Sequence, residues 1–233
     1  MPVIYIQKSP LVGIWKIEEL WQDMLESFPK NDVYMHDVHN INSNKRKQEW
    51  LSVRLLLKQL AGPDALIDYH ENGAPTLKNN PYHISISHTT GFAAIILSKN
   101  ENPGIDIEYN SARAWRLREK YLGEKELEML NSLNSFEQTG EKEVFVSPHS
   151  IEQAGDNELT NSNKLATLCW CAKETAYKAL QQTEVDFIDH LHILPFAFSA
   201  KGCFFLKETK TPMQQVFNIN YQVNEDFIIT WKE

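Results

Sequence analysis

Four ionisable residues could do chemistry together if the fold gathers them: Asp106, Glu108, Glu174 and Lys178. Apolar and acidic residues alternate over Gly104-Ile105-Asp106-Ile107-Glu108, a strand pattern that puts both carboxylates on one face. Trp170–Leu180 reads as a helix, with Trp170, Glu174, Tyr177 and Lys178 at i, i+4, i+7 and i+8 on one side. Taken alone, Glu174 and Lys178 are an exposed i,i+4 pair of about 0.3–0.5 kcal/mol. Two strand carboxylates and one helix carboxylate suit a hard cation, with a lysine beside it to meet phosphate. Without a cation the set is unfavourable, because like charges about 4 Å apart repel by roughly 4 kcal/mol at an effective dielectric of about 20. Mg2+ answers that need, since it keeps several waters and binds few carboxylates together with substrate phosphates. A glutamate at such a metal can also accept a proton from an attacking hydroxyl. The constellation implies attack on a phosphate ester or anhydride.

The elements that must carry these residues are legible around them. Ser43–Leu60 reads as a long helix, with Ser43 or Asn44 as N-cap and Gly62-Pro63 as its end. Its polar start, Lys45-Arg46-Lys47, is either a solvated charge run or an anion site. Ile14–Phe28 reads as an amphipathic helix with Ile14, Ile17, Leu20, Trp21, Met24 and Leu25 inward. Ala65–Tyr69 is a short strand, residues 72–75 a turn, and Pro81–His88 with Phe92–Leu97 a hairpin. Ser87 and His88 lead into Thr89-Thr90-Gly91, a polar turn whose backbone suits phosphate oxygens. Residues 112–130 read as a helix in two pieces broken at Gly123, and 131–163 as a polar excursion too long for an ordinary connection. Strands follow over Leu191–Leu194, Cys203–Lys207, Gln215–Val223 and Phe227–Trp231.

The order of elements echoes. Residues 44–109 and 165–232 each run from a long helix into strands. The expectation is an α+β fold of two similar halves, 1–110 and 111–233, a pseudo-dimer in which each long helix packs on a mostly antiparallel sheet. A site using both Asp106 and Glu174 would then sit where the halves meet.

Composition narrows the class. A net charge of −8 argues against a general nucleic-acid binder, which needs a broad basic footprint. Three cysteines are too few for a disulfide framework, and Cys169 and Cys171, two apart on a helix, point away from each other. A reducing cytoplasm is the expectation. No basic leader with an apolar core is visible at the N-terminus, and no run of about 18 apolar residues occurs.

The motifs, taken in order, resemble the 4'-phosphopantetheinyl transferases, specifically the larger two-half type typified by the surfactin-synthetase activator. Arg46-Lys47-Gln48-Glu49-Trp50-Leu51 with Arg54 is similar to that family's first helix motif. Gly73-Ala74-Pro75-Thr76-Leu77 is similar to its G-K-P-x-L turn, with Ala74 where lysine is usual. Ile86-Ser87-His88-Thr89 is similar to its L-S-H-S segment. Gly104 to Glu108 matches G-[VI]-D-[IL]-E, and Trp170 to Lys178 matches W-x-x-K-E-x-x-x-K. The last two are specific as an ordered pair, and the resemblance covers roughly residues 44–182.

The resemblance implies an enzyme of the holo-[acyl-carrier-protein] synthase type. Such an enzyme moves the phosphopantetheine arm of coenzyme A onto a serine of an apo acyl or peptidyl carrier protein, releasing 3',5'-ADP. It serves fatty-acid, polyketide or nonribosomal-peptide synthesis. By the same resemblance Asp106, Glu108 and Glu174 hold Mg2+ on the pyrophosphate, and Glu174 helps deprotonate the serine, directly or through water. Lys178 contacts the phosphates, with Lys173 as a further candidate. His88, with Ser87, Arg46 and Arg54, receives the 3'-phosphate and adenine end. The basic run Arg113–Lys120, just past the acidic strand, is the candidate dock for an acidic carrier. A monomer without nucleic-acid or membrane partners is expected. Two rival readings are another Mg2+-dependent phosphoryl-transfer enzyme and an inactive carrier-binding homologue.

Overall fold

The computed structural model describes residues 3–30, 32–137 and 161–233. Two units divide the chain. The first takes Met1–Tyr109, Tyr177–Gln182 and Trp231–Glu233, and the second takes Asn110–Ala176 and Thr183–Thr230. In the first lie β1 (Val3–Lys8), β2 (Leu11–Lys16), α1 (Trp21–Glu26), α2 (Tyr34–Asp37) and α3 (Asn44–Ala61). They are followed by β3 (Ile67–Tyr69), β4 (Pro75–Leu77), β5 (His83–Thr89), β6 (Phe92–Ser98) and β7 (Gly104–Tyr109). The rest of the chain forms α4 (Arg113–Leu117), α5 (Glu124–Glu137), α6 (Asn161–Leu180) and α7 (Phe187–His190). It ends with β8 (Leu191–Ile193), β9 (Lys201–Glu208), β10 (Val216–Val223) and β11 (Phe227–Lys232).

In the first unit an antiparallel sheet runs in the order β1-β2-β6-β5. The helix expected over Ile14–Phe28 is therefore corrected: its start is strand β2, and only α1 is helical. β2 is a central strand buried on both faces through Val12, Gly13, Ile14 and Trp15, so it lacks the alternation that marks a half-exposed strand. Its apolar run then merges with that of α1 at helical spacing. Gly13 lets α3 approach closely: a Cβ there would stand 3.2 Å from the side chains of Leu56 and Leu60, which would have to give by a few tenths of an ångström.

α3 covers the sheet. Ser43 caps it by accepting from the Arg46 amide, and Gly62, at φ 98°, ends it. Leu51, Leu56 and Leu57 are fully buried against Ala93, Ile95 and Leu97 of β6, each worth about 1.5–3 kcal/mol of burial. Gly91, at φ 81°, turns β5 into β6. β7 packs against β5 and β6.

In the second unit the strands follow the order β11-β10-β9-β8. Phe204 and Leu206 of β9 point inward while Phe205 points out. The inner side of α6 is made of Leu165, Leu168, Cys169, Cys171, Ala172 and Ala176, all buried. Thr175 and Thr230 pair their hydroxyls at 2.6 Å in the same core. The architecture is mixed α and β with antiparallel sheets. Of the excursion expected over 131–163, residues 131–137 are the end of α5 and 161–163 the start of α6; residues 138–160 lie outside the described residues. Among the described residues no helix is long and apolar enough to cross a membrane.

The cysteines test this packing. Cys169 and Cys171 are fully buried, and burial pushes the Cys169 thiol up to about 12, whereas Cys203 is exposed. A thiol reagent on the native protein should modify Cys203 quickly and the other two only after denaturation. Three equally fast thiols would contradict the placement of α6 and β9.

Candidate active site

The acidic strand is held by a ladder of hydroxyls. Ser85, Ser87 and Thr89 alternate along β5 and each bonds β7, with Ser87 and Thr89 meeting two carboxylates that are likewise two residues apart. The Ser85 hydroxyl accepts from the Ile105 amide at 3.3 Å, Ser87 donates to Asp106 Oδ1 at 2.7 Å, and Thr89 donates to Glu108 Oε2 at 2.8 Å. Strand geometry puts Asp106 and Glu108 on one face, and the matching hydroxyl spacing fixes both carboxylates. This ladder was present in the sequence as Ser85-x-Ser87-x-Thr89, a period-two signal that gains meaning only beside β7. Ser87 is buried and its hydroxyl proton is committed to Asp106. In this structure Ser87 orients a carboxylate.

Asp106 is only 4% exposed. Its Oδ1 also accepts from Lys178 Nζ at 2.8 Å, and that ammonium donates to the Ile105 carbonyl at 3.0 Å. Its Oδ2 is buried without a hydrogen-bond partner among the described residues. An orphaned buried acceptor typically costs about 1–3 kcal/mol, more for a charged one. A hard cation at Oδ2 would relieve it, and the donor is the oxygen type Mg2+ prefers. The residues present fit such an ion. Among the described residues, no group of three or more His, Cys, Asp or Glu is preassembled around a metal position. A Mg2+ ion that keeps waters and takes substrate phosphate oxygens does not need one. Glu174 sits half-buried on α6, one turn before Lys178.

A second cluster gathers at the start of α3. Arg46 donates to His88 Nε2, and Glu49 Oε2 lies 3.4 Å from Arg46 and 3.5 Å from His88 Nδ1. A guanidinium can only donate, so Nε2 accepts and the ring proton sits on Nδ1, facing Glu49. Lys45 joins, 3.9 Å from Glu49 and 3.1 Å from the Thr90 hydroxyl. Burial, then the Arg46 charge, hold the His88 imidazole below its usual range, so it is neutral near pH 7. Glu49 belongs to the helix motif but carries no role in the expectation drawn from it. It is mostly buried and organises three bases, and its place in Arg46-Lys47-Gln48-Glu49 at i+3 from Arg46 was the available signal.

Arg54 and Lys173, two further expected phosphate contacts, are engaged by partners of their own. Arg54 is 5% exposed, stacks 3.6 Å over the Trp50 ring and bonds the Trp50 carbonyl and Tyr69 hydroxyl. Its Nε is buried without a hydrogen-bond partner among the described residues. Lys173 is fully buried in the second unit, and all three of its donors are engaged by Tyr121 O, Glu126 Oε2 and Phe187 O. It has no donor left for a phosphate. A cleft of about 880 Å3 lined by Trp15, Met24, Leu55 and Lys58, on the other half of α3, shares no residue with either cluster.

No curated protein matches the chain. The profile of the 4'-phosphopantetheinyl transferase superfamily matches residues 102–231, more than half of it, and that stretch holds Asp106, Glu108, Glu174 and Lys178. The Arg46–Glu49–His88 cluster lies before the matched stretch. On this match the chain belongs to the 4'-phosphopantetheinyl transferase superfamily.

Proposed function

We propose that the protein transfers the 4'-phosphopantetheine arm of coenzyme A to a serine of an apo acyl or peptidyl carrier protein and releases 3',5'-ADP. It is a holo-[acyl-carrier-protein] synthase type of enzyme, working in the cytoplasm as a monomer. We also read the chain as two related halves, 1–110 holding the nucleotide end and the metal strand, 111–233 supplying the metal helix. The observation that carries the reading is Asp106, a buried carboxylate fixed on one oxygen by Ser87 and Lys178 and left unpartnered on the other.

In this reading Asp106, Glu108 and Glu174 hold Mg2+. When bound, that ion would neutralise the pyrophosphate and favour departure of the 3',5'-ADP group. The serine oxygen bonds to the phosphorus that carries pantetheine, the pyrophosphate P–O bond on the nucleotide side breaks, and the serine proton passes to Glu174, directly or through water. Lys178 donates to Asp106 and Ile105, which leaves one ammonium donor for a phosphate oxygen. Arg46 and His88 receive the 3'-phosphate, with Glu49 holding the ring.

Intact-mass measurement of an apo carrier after incubation with coenzyme A and Mg2+ tests the reading. The carrier should gain one phosphopantetheine arm. Asp106→Asn keeps the shape and should lower turnover by roughly 100-fold or more, since the cation and Lys178 both depend on its charge. No gain across a panel of apo carriers, or full turnover by Asp106→Asn, would refute it.

The nucleotide end carries a pH signature. His88 is neutral when the site is free, because burial and Arg46 lower its pKa. A phosphate dianion against the ring favours the imidazolium, so binding takes up a proton and affinity should rise as pH falls from 8 towards 6.5. Dephospho-coenzyme A should lack this rise, as should coenzyme A with His88→Gln. An identical pH profile for both ligands on the wild type would move the 3'-phosphate away from His88.

For the carrier we propose α4 as the dock. Arg113 and Arg116 are exposed there, while Arg118 lies over the Trp115 ring and bonds the Trp115 carbonyl. Against an acidic carrier, Arg113→Glu with Arg116→Glu should raise KM for the carrier several-fold at low salt and leave KM for coenzyme A unchanged. Unchanged carrier kinetics at low salt would place docking elsewhere.

A further inference from the structure

Lys173 and Glu126 form a buried ion pair that the chemistry above does not use. Nζ lies 2.6 Å from Glu126 Oε2 and 2.8 Å from the carbonyls of Tyr121 and Phe187. Glu126 is itself buried, with Oε2 accepting from the Gly123 amide and Oε1 from the Ile193 amide, each at 2.8 Å. Three bonds from Lys173 thus tie α6 to the turn before α5, to α5 itself and to the start of α7, and two more hold Glu126 to that turn and to β8. Burying two charges is unfavourable where well-packed apolar side chains of similar volume would serve, so packing alone does not call for this pair. Directional bonds do something apolar contact does not, which is to fix a helix in rotation and along its axis. α6 needs that restraint, because much of its inner side is small: Ala166, Cys169, Cys171, Ala172, Ala176 and Ala179 are all buried and offer few knobs to set a register.

Glu174 is the next residue, about 100° further round the helix. We propose that the Lys173–Glu126 pair is a positioning device that pins α6 so that Glu174 leaves the helix in the direction its role requires. The inference rests on the metal role proposed for Glu174. Neither partner touches substrate; both act through the helix.

The test compares wild type with Lys173→Met/Glu126→Gln, which removes both charges while Gln keeps an acceptor for a backbone amide. Three readouts apply: melting temperature, kcat against KM for coenzyme A, and the Kd for Mn2+ read by electron paramagnetic resonance of the free ion. The double variant should stay folded, keep its KM for coenzyme A, lose about tenfold or more in kcat, and bind Mn2+ several-fold more weakly. A folded double variant with wild-type kcat and Mn2+ affinity would overturn the proposal, leaving the pair a support of the fold only. Should the double variant not fold, Lys173→Arg serves. It keeps the charge but its longer fork must shift α6, so kcat and Mn2+ affinity should fall, and wild-type values for both would overturn the proposal equally. A wild type that modifies no apo carrier would instead sink the transferase reading, while the Mn2+ comparison would still decide the positioning claim.

Discussion

A carboxylate buried in the first unit must have its lone pairs satisfied, and much of the local structure follows from how Asp106 meets that demand. One oxygen is saturated by a hydroxyl from β5 and an ammonium from the end of α6; the other is left bare. An apolar residue would be easier to bury at that point on β7, where Ile105 and Ile107 flank it and are fully buried. The strand instead keeps a charge there and surrounds it with donors on one side only. That asymmetry turns a structural liability into a directional ligand.

The same rule organises the basic cluster. Arg46, His88 and Lys45 are like-charged or chargeable groups that would separate if left alone. Glu49, at the second turn of α3, draws them together and sets the imidazole tautomer. Its own position follows from the capped start of α3, where Ser43 fixes which residues fall in the first turns. In the second unit Glu126 does a comparable job for Lys173, with backbone amides completing its shell.

The sequence made local features legible and long-range pairing much less so. Ser43, Gly62 and the apolar residues between them marked α3 closely, because caps and periodicity are local signals. The alternation around Asp106 marked β7 for the same reason. β2 is hidden in the sequence because a strand buried on both faces has no alternation to read, and its partners β1 and β6 are set by tertiary pairing. Residue type and motif position point Arg54, Lys173 and Ser87 towards phosphate. What the sequence does not show is their burial and their partners from other elements: Tyr69 for Arg54, Tyr121, Glu126 and Phe187 for Lys173, and Asp106 for Ser87. A cation's sequence neighbours do not say which way it points.

The account stands on Asp106 offering one oxygen to a cation while the other stays held by Ser87 and Lys178. The most direct measurement is an anomalous difference map from crystals grown with coenzyme A and Mn2+. The account predicts a Mn2+ peak within bonding distance of Asp106 Oδ2, with the Ser87 and Lys178 bonds to Oδ1 retained. Coenzyme A bound with no anomalous peak at Asp106, or a peak that displaces Lys178 from Oδ1, would contradict it.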